Sequence, residues 1–96
     1  KVPLLENVLA MAAEGFVTGA SGRNWAGYGA EVSLAPGLHA TTQNLLSDPQ
    51  TSGGLLVSCA PDAVDAVLKI FRDEGFARAA VIGRVEAGES SLHVVP

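Results

Sequence analysis

The chain has 96 residues, enough for one small domain or a piece of one, and a chain of that size buries only about 60–70 % of the surface its unfolded form exposes. Apolar residues make up 48 % and charged residues 17 %. The net charge of −4, with six scattered basic side chains, argues against a nucleic-acid groove or an anionic membrane surface as partner. The lone Cys59 excludes a disulfide framework and a cysteine-based metal centre.

So small a charged share implies apolar surface that meets another domain. No apolar run approaches the roughly 18 residues that span a bilayer, and no signal-peptide pattern is visible, so a reducing cytoplasm is the expected setting. The chain opens on Lys1 rather than Met, with Pro3 starting a helical pattern at once, as expected of a fragment boundary.

From Pro3 to Glu14, Leu4, Leu5, Val8, Leu9 and Ala12 recur at helical spacing, and Gly15 supplies a stop. Residues 19–29 hold four glycines and read as a loop with at most one helical turn around Trp25. Glu31 to Ala35 alternates as a short strand, which Pro36-Gly37 breaks. His39 to Ser47 forms a short helix that Asp48-Pro49 ends. Leu55 to Ala60 reads as a buried strand, with Cys59 as a buried thiol acting as a small hydrophobe.

Pro61 to Glu74 is an amphipathic helix, with Val64, Val67, Leu68 and Phe71 on one face and Asp62, Asp65, Lys69, Arg72 and Asp73 on the other. Gly75 stops it. Ala79 to Val85 and Ser91 to Val95 read as two further strands, joined by a turn over Glu86 to Glu89. The fold class expected is α+β, with helices packed on a mainly antiparallel sheet.

Two segments exceed what folding alone requires. In Thr18-Gly19-Ala20-Ser21-Gly22-Arg23-Asn24-Trp25, small residues let a backbone approach a ligand, successive N–H groups can cradle an anion, and Arg23 can pair with a phosphate. An irregular surface loop with Trp25 filling the core edge fits the same residues. The Gly-Lys-Ser/Thr ending of a phosphate loop is absent.

In Asp48-Pro49-Gln50-Thr51-Ser52-Gly53-Gly54, the first pair forces a turn, Thr51 and Ser52 can cap backbone groups, and the glycines permit positive φ or close packing. A plain helix-to-strand turn explains it equally. His39 and His93 have no partner at ligand spacing, and Trp25 with Tyr28 reads as packing.

The stretch Asp48 to Leu56 resembles the hallmark of the carboxy-terminal domain of selenophosphate synthetases, and Gly15 to Trp25 resembles the same family's preceding loop at the right separation. Ala80-Val81-Ile82-Gly83-Arg84-Val85 is similar to a strand of the wider superfamily, which includes aminoimidazole ribonucleotide synthetase, thiamine-monophosphate kinase and a hydrogenase maturation factor. The resemblance implies a reaction in which ATP, selenide and water become selenophosphate, AMP and phosphate, with ATP and magnesium bound by the full-length enzyme and neither by this piece alone.

The family's reactive Cys or selenocysteine, its Lys and its magnesium-binding Asp residues precede the matched region. No catalytic residue therefore carries over, Cys59 is not the nucleophile, and the fragment is expected to be inactive. Residues 1–96 would be one partial domain lacking its opening strand and helix. The complete domain would have α/β/α layers and partial ferredoxin-like similarity. The implied partners are the amino-terminal domain of the same enzyme and, in the full-length protein, a second copy in a homodimer. Arg23, Asn24, Thr51, Ser52, Gly53 and Gly54 are the residues expected nearest the ATP phosphates. The alternatives are a module that only packs between domains, or the same domain of another ATP-using member of the superfamily.

Overall fold

The computed structural model describes residues 1–38 and 40–96. The chain divides into two compact units, Leu4–Gly53 with Gly88–Pro96, and Lys1–Pro3 with Gly54–Ala87. His39, the expected start of the third helix, lies outside the described residues.

The first unit opens with α1 (Val8–Ala13), shorter than the Pro3–Glu14 helix expected. Asn7 is the reason: its backbone is left-handed (φ 63°), which ends helical geometry on its amino-terminal side. The stop is as expected. Gly15 has φ 98°, and the bonds from its N–H to the Ala12 carbonyl (3.1 Å) and from Phe16 N–H to the Met11 carbonyl (3.0 Å) form a Schellman motif.

The glycine-rich segment differs from its reading. It is a helix of ten residues, α2 (Gly19–Tyr28), followed by a 3₁₀ turn over Gly29–Glu31. The indole of Trp25 lies against Gly29 so closely that a Cβ there would sit 2.7 Å from Cε2, so this glycine is a packing requirement. Tyr28 meets Trp25 edge to face at 6.5 Å.

Strand β1 (Val32–Leu34) follows, then the turn through Pro36 and Gly37 (φ 92°), closed by Leu38 N–H to the Ala35 carbonyl at 3.2 Å. Helix α3 (Ala40–Leu46) packs against both α1 and α2. Strand β2 (Leu92–Val94) pairs with β1 in register Val32↔Leu92, Ser33↔His93 and Leu34↔Val94.

The pairing is parallel, where a mainly antiparallel sheet was expected. Antiparallel neighbours follow from a tight hairpin. These two strands are far apart in sequence, and the chain returns in the same direction. His93 is placed by this register: its Nδ1 lies 2.5 Å from Ser33 Oγ and its Nε2 3.2 Å from Ser91 Oγ.

The second unit is built on α4 (Val64–Asp73), entered through a 3₁₀ turn at Pro61–Ala63. Val64, Val67, Leu68 and Phe71 are half-buried along one face, as their spacing predicts. Lys69 and Asp73 pair one turn apart on the exposed face, where such a contact adds a few tenths of a kcal/mol at most. The helix ends in a second Schellman motif: Gly75 N–H meets the Arg72 carbonyl, Phe76 N–H meets the Phe71 carbonyl, and the two Phe rings touch edge to face at 6.3 Å.

Residues 55–60 and 79–85, expected as strands, form no ladder here. Among the described residues, no backbone group of 55–59 or 80–88 takes part in a backbone–backbone hydrogen bond. Their apolar side chains are correspondingly bare, with Leu55 and Leu56 82 % exposed and Val85 86 %. Cys59 is exposed rather than buried, because no neighbouring strand covers the segment that carries it. Ala12 is the one buried apolar residue among those described, and Ser21 and Ser47 are the buried polar ones.

In the 96-residue chain, amide exchange at Val57, Val81 and Ile82 is expected at rates close to those of an unfolded peptide, while Leu68 in α4 exchanges more slowly. Protection at Val57 and Ile82 in the isolated chain would contradict this architecture.

Candidate functional site

The two segments singled out in the sequence meet at the start of α2. This helix has little intrinsic tendency to form, since Gly19, Gly22 and Gly27 each cost about 1 kcal/mol relative to alanine. What holds its first turn is polar. Thr18 is the N-cap, its Oγ1 accepting from Ser21 N–H at 3.3 Å. The Asp48 carboxylate then closes over the same turn: its Oδ1 accepts from Thr18 Oγ1 at 3.1 Å and from Ser21 Oγ at 3.3 Å. A negative group there complements the helix dipole.

One turn further on, Asn24 Nδ2 donates to the Ser47 carbonyl at 2.8 Å, which satisfies a free carbonyl just past the end of α3. Ser47 is 2 % exposed and Ser21 fully buried; Ser47 Oγ turns back to the Gln43 carbonyl at 2.8 Å. Among the described residues no buried side-chain polar atom lacks a partner.

The other carboxylate oxygen faces the second segment. Gln50 Nε2 donates to Asp48 Oδ2 at 3.4 Å, and Gly53 N–H closes a turn on the Gln50 carbonyl at 3.2 Å. A Cβ on Gly53 would lie 2.9 Å from the Gln50 Cβ and 3.3 Å from its carbonyl oxygen. Gly53 is thus required by close approach; positive φ is not the reason. Gly54 has ordinary φ and open space where a side chain would stand, so nothing in this chain demands a glycine there.

Residues 4–95 match the family described as AIR synthase related protein, C-terminal domain. The chain belongs to this family. Among curated relatives it is 59 % identical over 93 residues to a protein named Selenide, water dikinase from Burkholderia pseudomallei (strain K96243), covering 97 % of this chain and 26 % of that one. It is 58 % identical over 94 residues to the protein of the same name from Pseudomonas straminea (98 % and 26 %), and 46 % identical over 94 residues to that of Rhizobium meliloti (strain 1021) (98 % and 27 %). The chain therefore spans about a quarter of the length of the relatives it matches. No solved structure matches it.

In this member of the family, five of the six residues singled out in the sequence divide into two kinds, Gly54 apart. Asn24 is committed inside the chain through its bond to Ser47, and Gly53 through its turn. Arg23, Thr51 and Ser52 are exposed, and among the described residues none of the three side chains makes a hydrogen bond or ion pair. The Arg23 guanidinium lies back along α2, with Nη1 3.6 Å from the position of a Cβ on Gly19. The capping of backbone groups expected of Thr51 and Ser52 is not seen; the turn closes through the Gln50 backbone carbonyl.

Sequence reasoning took Asp48 as a helix stop and turn former and gave Thr18 and Ser21 no capping role. Their signal was the hydroxyl pair three residues apart at the head of a segment, an N-cap pattern hidden by the glycines that follow. A shallow cavity of about 270 Å³ lined by Tyr28, Glu31, Val32, Ser90, Ser91 and Leu92 contains none of the six residues. Among the described residues no three His, Cys, Asp or Glu side chains gather as a metal site, and no helix is long and apolar enough to cross a membrane.

Gly53→Ala is expected to lower stability by about 1–3 kcal/mol, the usual cost of forcing extra atoms into a filled space. Gly54→Ala should leave it within about 0.5 kcal/mol, as at a surface position free of contacts. Urea unfolding of the chain, followed through Trp25, its sole tryptophan, checks both. Equal effects at the two positions would contradict the turn geometry.

Proposed function

We propose that this chain is the carboxy-terminal part of an ATP-dependent selenide, water dikinase, a cytoplasmic enzyme that makes selenophosphate from selenide, ATP and water and releases AMP and phosphate. The observation that carries the reading is the 59 % identity along 97 % of the chain to a protein of that name. The remainder of the protein supplies the nucleophile and the magnesium site. The residues here do not fit magnesium: Asp48, the carboxylate between the two segments, is occupied by Thr18, Ser21 and Gln50. No step of the reaction is routed through the metal by this chain.

The role left to these residues is to bind and orient. Phosphoryl transfer depends on positioning and on charge placed against the phosphate oxygens. Arg23 brings a guanidinium with no internal partner among the described residues, Thr51 and Ser52 bring uncommitted hydroxyls, and Gly54 leaves room for close approach. These are the groups proposed to lie nearest the ATP phosphates; Asn24 and Gly53 hold them in place.

The bare apolar surface of 55–57 and 81–85 supports the rest of the reading. In the whole protein these segments become strands of a mainly antiparallel sheet within α/β/α layers, paired with the domain's own opening strand, and the complete enzyme is a homodimer. Amides at Val57 and Ile82 that exchange freely in the 96-residue chain become protected there. A second reading is that the segments 18–25 and 48–54 only pack against the amino-terminal domain, with the exposed Arg23 paired to a carboxylate there.

The whole protein separates the two. Arg23→Ala is expected to lower ATP affinity or turnover about ten- to hundredfold, the loss of a charge-assisted hydrogen bond worth about 1.5–3 kcal/mol, without a change in unfolding midpoint. The 96-residue chain alone should form no AMP from ATP and selenide. Full activity in a stably folded Arg23→Ala enzyme would leave packing as the role of this segment.

A further inference from the structure

The Asp48 carboxylate stands between two pieces of chain that touch it from opposite sides. Oδ1 takes the hydroxyls of Thr18 and Ser21 at the head of α2, and Oδ2 takes the side-chain amide of Gln50, whose carbonyl closes the turn at Gly53. Pro49 restricts the one residue between carboxylate and turn. Ser21 is fully buried, so its hydroxyl has no water to fall back on; it sits between Asp48 Oδ1 at 3.3 Å and Thr18 Oγ1 at 3.2 Å, and Asp48 is the charged acceptor that both hydroxyls share. Asn24 ties the same helix to the Ser47 carbonyl, immediately before Asp48. Arg23 lies between Ser21 and Asn24 in sequence, and Thr51 and Ser52 lie inside the turn. The carboxylate therefore fixes both groups at once.

We propose that Asp48 is a positioning residue that fastens the Gln50–Gly53 turn to the head of α2, so that Arg23 on the helix and the Thr51 and Ser52 hydroxyls on the turn present one geometry to the phosphates of a nucleoside triphosphate. This rests on the dikinase reading above. Asp48 touches no phosphate; it acts through the residues it holds. Its loss leaves every binding group present and misplaced, which weakens the ground state and the transition state alike, so KM rises while kcat stays. It also loosens helix head and turn together, because both lean on one group.

The test uses the whole protein, with ATP as the nucleotide and amide exchange measured in its absence. In Asp48→Ala, exchange at Ser21 and at Gly53 is expected to accelerate together by about tenfold, and the KM for ATP to rise about tenfold with kcat within about twofold. Asp48→Asn keeps an oxygen for both hydroxyls, and its amide can donate to Gln50 Oε1 once the exposed Gln50 amide turns over, so it should recover KM to within about threefold of the unsubstituted protein. It also serves if the alanine variant does not fold. Gln50→Ala, which cuts the turn side alone, should accelerate Gly53 and leave Ser21 unchanged. The proposal is overturned if Asp48→Ala loosens only one of the two segments, if both loosen and KM does not move, or if kcat falls with KM unchanged. A protein that forms no AMP from ATP and selenide would sink the dikinase reading. The paired exchange at Ser21 and Gly53 would still decide whether Asp48 fastens the two segments.

Discussion

A glycine-rich helix needs something outside itself to exist, and in this chain that something is a carboxylate. With three glycines in ten residues, α2 forfeits about 3 kcal/mol of propensity before any contact is made. The Thr18 cap returns about 1 kcal/mol. An acidic group at a helix amino terminus returns about 0.3–1 kcal/mol more, and up to about 2 when partly buried. The hydroxyls of Thr18 and Ser21 add charge-assisted bonds to the same acceptor. Terms of this size are comparable to the deficit, so Asp48 is a main support of the helix. Because Asp48 also begins the second segment, the feature that makes α2 a helix is the one that sets where the turn stands.

The apolar residues of the two units are organised differently. The two Schellman motifs at Gly15 and Gly75 are complete and local, and each helix they end is correctly terminated. Among the described residues Ala12, in α1, is the buried apolar one, while Leu55, Leu56 and Val85 stand in solvent beside backbone groups without ladder partners. Bare strand-forming segments of this kind are surfaces that call for another strand.

What could be read from sequence follows from which forces are local. The α4 face of Val64, Val67, Leu68 and Phe71, the stops at Gly15 and Gly75, the β1 strand and the Pro36-Gly37 break depend on periodicity or on single-residue backbone preference, and they stand where they were expected. The α2 helix was hidden because its support comes from Asp48, far along the chain, while its own glycines argue for a loop. The parallel pairing of β1 with β2 and the exposure of Cys59 were hidden for a related reason: strand partners lie far away in sequence, and alternation does not name them. At the candidate site the turn at Gln50–Gly53 was legible, and its fastening was not. Thr51 and Ser52 looked like the caps, yet the turn closes through the Gln50 backbone carbonyl, with Gln50 Nε2 held by Asp48, and leaves the two hydroxyls uncommitted.

The central claim is that the Asp48 carboxylate and the buried Ser21 hydroxyl act on each other rather than separately. A double-mutant cycle with Ser21→Ala and Asp48→Ala, read by urea unfolding of the whole protein, isolates that interaction. The account predicts a coupling of about 0.5–3 kcal/mol, as for residues sharing one hydrogen-bond network, whereas effects additive within about 0.3 kcal/mol would contradict it.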